Sequence, residues 1–170
     1  SLASMVANLT IGKKKYNDVE KDMIRIVEKS EAIRQRMLNF IEEDCDAFNE
    51  VMDAFKLAKV TEEEKNNRTQ AIQMGLKKAA SVPFEIATTA YGIMELAEIG
   101  VRKGNSNAVT DGLISAMTAR TAVLAALLNV KINLDSIKDE VFVENMRLKV
   151  ADLEKNTIDN EKRILDMVSF

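Results

Sequence analysis

A chain of 170 residues with 46% hydrophobic and 30% charged side chains has the composition of one globular domain with a sizeable core, not of a disordered segment or a membrane span. Its 24 basic and 27 acidic residues leave a net charge of −3, without the basic excess of a duplex nucleic-acid binder. Cys45 is the single cysteine and histidine is missing, which excludes a disulfide framework, a thiolate metal cluster, Ser-His and Cys-His nucleophiles and the Glu-x-x-His di-iron pattern.

The opening "SLASMVANLTIG" reads as a helix ending near Gly12. Its basic residues, Lys13, Lys14 and Lys15, follow the apolar run instead of preceding it, the wrong order for a secretory signal, and the run is too short to span a bilayer. The chain opens on Ser1 inside this helical pattern, so a preceding segment is expected. The lone cysteine suits a reducing cytoplasm.

"KKKYND" links to a long predicted helix from about Asp18 to Leu57. Ile24, Val27, Ile33, Met37, Leu38, Ile41, Phe48, Met52 and Phe55 mark its apolar stripe. Glu42, Asp46, Asn49, Asp53 and Lys56 form a solvated side, and Cys45 flanks the apolar arc as a packing residue. Thr61 with Glu64 has capping-box spacing and starts a helix to about Ser81. Pro83 either kinks that helix or opens a new one at its first position.

Residues from Pro83 to Arg102 are helical and apolar, and Gly104 fits a left-handed C-terminal cap. Asn105, Ser106 or Asn107 caps the next helix, which runs to about Leu134. Asp135 or Ser136 restarts the chain into a last helix reaching about Val168. About six helices with short connections predict an all-α, up-and-down bundle over residues 1–170. No Walker loop, dinucleotide fingerprint or metal-ligand spacing is present, so no metal is expected, and nine methionines read as core filler.

The helix after Gly104 carries the most informative pattern. Asp111, Ser115, Thr118, Ala122, Ala126, Asn129 and Asn133 recur every three or four residues and share one stripe within about 60–80° of arc. Small and polar side chains along a stripe admit close approach, either by a packed helix with satisfied amides or by a flat ligand in a polar groove. Asp111 stands near the helix start, where the dipole favours an ionised carboxylate. Ser1, Ser4, Asn8 and Lys15 follow a similar, weaker spacing.

"ASMVANLTIGKKKY", "DAFNEVMDAFKL", Val82-Pro83, "KGNSNAVTDGLISA" and "ALLNVKINLDSIKDEVFV" together resemble the formimidoyltetrahydrofolate cyclodeaminase family, which includes bacterial methenyltetrahydrofolate cyclohydrolases. The likeness covers most of the chain in the same order. Members usually carry a glycine-rich "GGGS"-like segment before the first helix, which here would fall upstream of Ser1. The resemblance implies an all-helical homodimer in the cytoplasm, with a tetrahydrofolate derivative as substrate and neither nucleic acid nor membrane as partner. It implies ring closure of 5-formimidoyltetrahydrofolate to 5,10-methenyltetrahydrofolate with release of ammonia, beside a separate formimidoyltransferase. The cyclohydrolase reaction on the methenyl compound is the alternative, and a non-catalytic helical interaction module is a third reading.

With no histidine, a carboxylate is the first choice for proton transfer, and Asp111 is the candidate inside a matching motif. Asn8, Asn105, Asn107, Asn129 and Asn133 would hold the pterin edge. Lys13, Lys14 and Lys15 would bind the glutamate carboxylates of the folate tail.

Overall fold

Thr61 begins the longest helix by the reciprocal cap that its spacing predicts. Its Oγ1 accepts the Glu64 N–H at 3.1 Å, and the Glu64 carboxylate accepts the Thr61 N–H at 2.9 Å. Those backbone N–H groups, Thr61 and then Val60, hold the Glu64 carboxyl below its ordinary value. In the computed structural model, which describes residues 1–169, the chain forms α1 (Leu2–Asn8), a 3₁₀ segment (Lys14–Val19), α2 (Glu20–Lys56), α3 (Glu62–Lys103), a 3₁₀ turn (Ser106–Ala108), α4 (Val109–Leu134) and α5 (Glu140–Leu165).

The described residues thus form five α-helices where about six were predicted. Pro83 neither breaks nor restarts the chain; it lies inside the 42-residue α3. Proline has no N–H, so the carbonyl four residues earlier, that of Ala79, loses its helical donor. Asn133 of α4 replaces it: Nδ2 donates to the Ala79 carbonyl oxygen at 2.7 Å. A side chain from a neighbouring helix repairs the ladder, and α3 continues.

Gly104 is also corrected. Its φ of −75° and ψ of −175° are extended, not left-handed. Glycine is needed for space: a Cβ there would lie 2.4 Å from the Gly100 carbonyl oxygen and 2.9 Å from Val6 Cγ1. The left-handed glycine is Gly12, at φ +76°, in the turn after α1. The last helix starts later than expected, because Asp139 caps it by accepting the Phe142 N–H at 3.0 Å. Gln73 pins the preceding turn, donating to the Ser136 carbonyl and accepting the Lys138 N–H.

Helix α3 is the centre. It packs on α2 along one side and on α4 along the other; α1 lies over α2, α3 and α4, and α5 covers α4 and part of α3. Ala80, Ala87, Val123, Leu127, Val130 and Val150 form the main core. Met94, Ala97, Leu113, Ala116 and Ile164 continue it, and Ala3, Ala7, Met23, Ile26 and Leu96 seat α1. By length and composition α4 with its 3₁₀ turn could cross a membrane, but Val123, Leu127 and Val130 are buried against its neighbours.

The predicted face of α2 is only partly right: Val27, Ile33 and Met37 pack against the core, but the other six residues of the stripe do not face it. Met23, Ile26, Ser30, Phe40, Ala47, Val51 and Ala54 are buried, whereas Ile24, Leu38, Ile41, Phe48, Met52 and Phe55 are exposed, Ile41 and Phe48 by more than 60%. Toward the C-terminal end of α2 small residues set the face. Gly75 of α3 sits so close that a Cβ there would meet Val51 Cγ2 at 3.0 Å, and Ala47 and Ala54 extend this close-packing edge. Cys45 is exposed, not packed.

Candidate functional site

The end of α1 is clamped to the connection between α3 and α4. Thr10 is buried; its Oγ1 donates to the Val6 carbonyl at 2.7 Å and accepts the Asn105 N–H at 2.8 Å. Asn105 is buried too. Its Nδ2 donates to the Leu9 carbonyl at 3.0 Å and its Oδ1 accepts the Asn107 N–H at 3.1 Å. Both ends of this amide are engaged within the protein, as burial of a polar side chain requires.

The clamp sets the next residue against the lysine run. The Ser106 N–H donates to the Tyr16 hydroxyl oxygen at 3.1 Å, and the Ser106 Oγ lies 3.3 Å from the same oxygen. Lys15 Nζ sits 5.3 Å from the centre of the Tyr16 ring. The Ser106 hydrogen bonds, side-chain then backbone, with a smaller contribution from Lys15, bring the Tyr16 hydroxyl down to about 8. Lys13, Lys14 and Lys15 are exposed.

This corner therefore gathers Lys13, Lys14, Lys15, Tyr16, Asn105, Ser106 and Asn107. Asp111 follows in the first turn of α4, half-buried. Asn8 is exposed on α1, with its amide 3.5 Å from Ser4 Oγ. Sequence reasoning missed Tyr16 and Ser106. The available signal was a phenol closing the "KKKY" run in a chain without histidine.

The α4 stripe forms one wall of a groove whose other wall is α2 and whose floor is α3. A cavity of about 410 Å³ lies between Ser30 and Met37 of α2, Ala90 and Ile93 of α3, and Ser115, Thr118 and Ala122 of α4. The Ser30 hydroxyl there is buried without a hydrogen-bond partner. Further along, about 350 Å³ opens among Asp44, Phe48, Pro83, Asn129, Ile132 and Asn133. Ala126, in the stripe, belongs to the core instead.

The candidate residues thus fall into two groups. Asp111 and Asn129 are eighteen residues apart on one helix, about 27 Å at 1.5 Å per residue. Asn129 is exposed at the second cavity, while one N–H of the Asn133 amide is engaged by the Ala79 carbonyl, leaving its second N–H and its carbonyl oxygen. Among the described residues no group of three or more His, Cys, Asp or Glu side chains could hold a metal ion.

The fold is an all-helical bundle with small-molecule-sized cavities between α2, α3 and α4 and, where α1 meets the α3–α4 connection, a separate cationic corner that carries a phenol. The chain belongs to the Formiminotransferase-cyclodeaminase family, whose profile matches residues 1–152. It is 42% identical over 149 residues to the methenyltetrahydrofolate cyclohydrolase of Methylorubrum extorquens, covering 88% of this chain and 71% of that one. It is 32% identical to the rat formimidoyltransferase-cyclodeaminase over 90% of this chain but only 28% of that protein. A crystal structure of formiminotetrahydrofolate cyclodeaminase from Thermotoga maritima superposes with a TM-score of 0.85 at 35% identity, over 98% of this chain and 79% of the other. The sequence resemblance to this family is borne out, and membership makes the chain a folate-interconverting enzyme.

Proposed function

We propose that this protein hydrolyses 5,10-methenyltetrahydrofolate to 10-formyltetrahydrofolate. The observation that carries the reading is the 42% identity with a cyclohydrolase across 88% of the chain and most of that relative's length. The chemistry suits a histidine-free site: the methenyl carbon is already cationic, so the protein has to position a water and move protons. Asp111, half-buried in the first turn of α4, is the proposed acceptor of one of them. Lys13, Lys14 and Lys15 are free to meet the carboxylates of the folate tail. Asn107, exposed in the same corner, is available to the pterin edge, and Asn105 serves by holding the corner rigid; Asn129 and Asn133, about 27 Å and more along α4 from Asp111, are too far away to grip a pterin whose own nitrogen carries the reacting carbon.

The test is loss of methenyl absorbance in excess of the uncatalysed rate at neutral pH. A rate equal to the buffer blank across a range of enzyme concentrations removes the proposal. The second reading, ring closure of 5-formimidoyltetrahydrofolate with release of ammonia, is supported by the name and the 0.85 TM-score of the Thermotoga maritima structure. It predicts growth of methenyl absorbance with stoichiometric ammonia. A formimidoyltransferase, which the rat relative's name joins to the cyclodeaminase in one protein, would then supply the substrate.

The working form is proposed to be a cytoplasmic homodimer. Ile41 and Phe48 of α2 and Leu128 and Ile132 of α4 are each more than 60% exposed, apolar surface that a self-complementary interface would cover. Sedimentation equilibrium is expected to give twice the 19.0 kDa chain mass; a monomer at micromolar concentration would contradict it.

A further inference from the structure

A chain without histidine needs another group that changes charge near neutral pH if it is to take a proton and give it back. We propose that Tyr16, held by Ser106 at the corner between α1 and α4, is the residue that accepts the proton of the attacking water and returns it to the substrate. The proposal rests on the folate reading above, and it adds a residue that the family resemblance did not single out.

Three observations support it. The phenol oxygen is fixed by contacts from across the chain: the Ser106 N–H at 3.1 Å and the Ser106 Oγ at 3.3 Å. Both groups can donate to a phenolate, so the partner stabilises the charged form. Ser106 is itself immobilised, because the preceding residue, Asn105, is locked by Thr10 and by the Leu9 carbonyl. The hydroxyl therefore has a fixed place next to the start of the helix that carries Asp111.

The charges around it favour the same state. Lys15 stands over the ring on its own segment, and from the α3–α4 connection the facing group is the neutral Ser106. Lys103, at the end of α3, is occupied by Asp22 of α2. With the phenol lowered to about 8, a useful fraction is phenolate at neutral pH, and its conjugate acid is strong enough to reprotonate an amine nitrogen.

The step balances as follows. Water oxygen bonds to the methenyl carbon, the amidinium electron pair moves onto nitrogen, and the water proton passes to the Tyr16 phenolate. The neutral adduct then collapses. Its hydroxyl proton leaves through Asp111 to solvent, the carbonyl forms, the bond from carbon to the pterin nitrogen breaks, and Tyr16 protonates that nitrogen. One proton is released in total and Tyr16 is a phenolate again.

The test compares the full chain with Tyr16→Phe, which keeps the ring and removes only the oxygen. Tyrosinate absorption is titrated first. Tyr16 and Tyr91 are the two tyrosines, so the difference between the proteins isolates Tyr16, with an expected midpoint near 8. For hydrolysis, kcat/KM of the parent should rise with pH to a plateau above about 8. In Tyr16→Phe that limb should vanish and kcat fall by about 100-fold, with KM within about twofold. A midpoint at the ordinary tyrosine value overturns the proposal, as does a variant that keeps the parent's rate and pH limb. If the parent itself does not hydrolyse the methenyl compound, the hydrolase reading fails and this role falls with it; loss confined to the variant separates the two outcomes.

Discussion

Asp111→Asn is expected to lower kcat by about 10²- to 10⁴-fold, the range for loss of a positioned acid–base group, while leaving the fold and the oligomeric state unchanged. The substitution is nearly isosteric, and the side chain sits half-buried in the first turn of α4, not in the core. Helix-dipole stabilisation of a carboxylate at that position is worth only about 0.3–1 kcal/mol, so stability should barely respond. The consequence lies in chemistry: an amide cannot take the hydroxyl proton of the tetrahedral adduct, and its collapse slows. On a purely structural reading the opposite holds, since removing a half-buried charge is neutral or stabilising and turnover would be unaffected. Steady-state kinetics with a thermal melt distinguish the two, and a variant with kcat within threefold of the parent removes Asp111 from the mechanism.

The helical fold was legible because periodicity and caps are local properties. Thr61 with Glu64 starts α3 as the spacing predicted, and the all-α class follows from apolar residues at three- and four-residue intervals. Errors came where a partner element decides. The buried face of α2 was misread mainly in its C-terminal part, where large apolar residues marked the stripe but the close approach of α3 selects Ala47, Val51 and Ala54. Of nine methionines, Met23, Met94 and Met146 are buried, while Met74 is 72% exposed. Gly104 was read as a conformational glycine and turns out to be a steric one.

The same division holds at the site. Helical spacing located the α4 stripe, and the structure makes that stripe a groove wall. Spacing alone could not show that Asp111 lies outside both cavities while Asn133 lines the second, nor that Asn105 and Asn133 have hydrogen-bond partners inside the protein. Tyr16 and Ser106 are ninety residues apart in sequence, and no local pattern announces their contact.

Asn133→Ala is expected to destabilise the protein by about 1 kcal/mol, the net worth of an ordinary hydrogen bond, since Ala79 and Asn133 are half-buried beside the second cavity. The acceptor is the Ala79 carbonyl, whose helical donor is missing because residue 83 is proline. This dependence gives the effect a signature that ordinary loss of packing lacks. In a Pro83→Ala background residue 83 regains an N–H, the i→i−4 bond to Ala79 can form, and Asn133 becomes dispensable. The Asn133→Ala penalty should then shrink toward zero, a coupling above the additivity error for independent sites. Urea unfolding of the four proteins in the cycle measures it. Equal penalties in both backgrounds would show that the amide does not repair α3 and that its place beside the second cavity has another cause. Asn133 also lines that cavity, far along α4 from Asp111, so KM for the folate should stay unchanged in all four proteins. A rise that accompanies Asn133→Ala in both backgrounds, while the stability penalty fades in one, would instead put the folate in the second cavity and remove Asp111 from the chemistry.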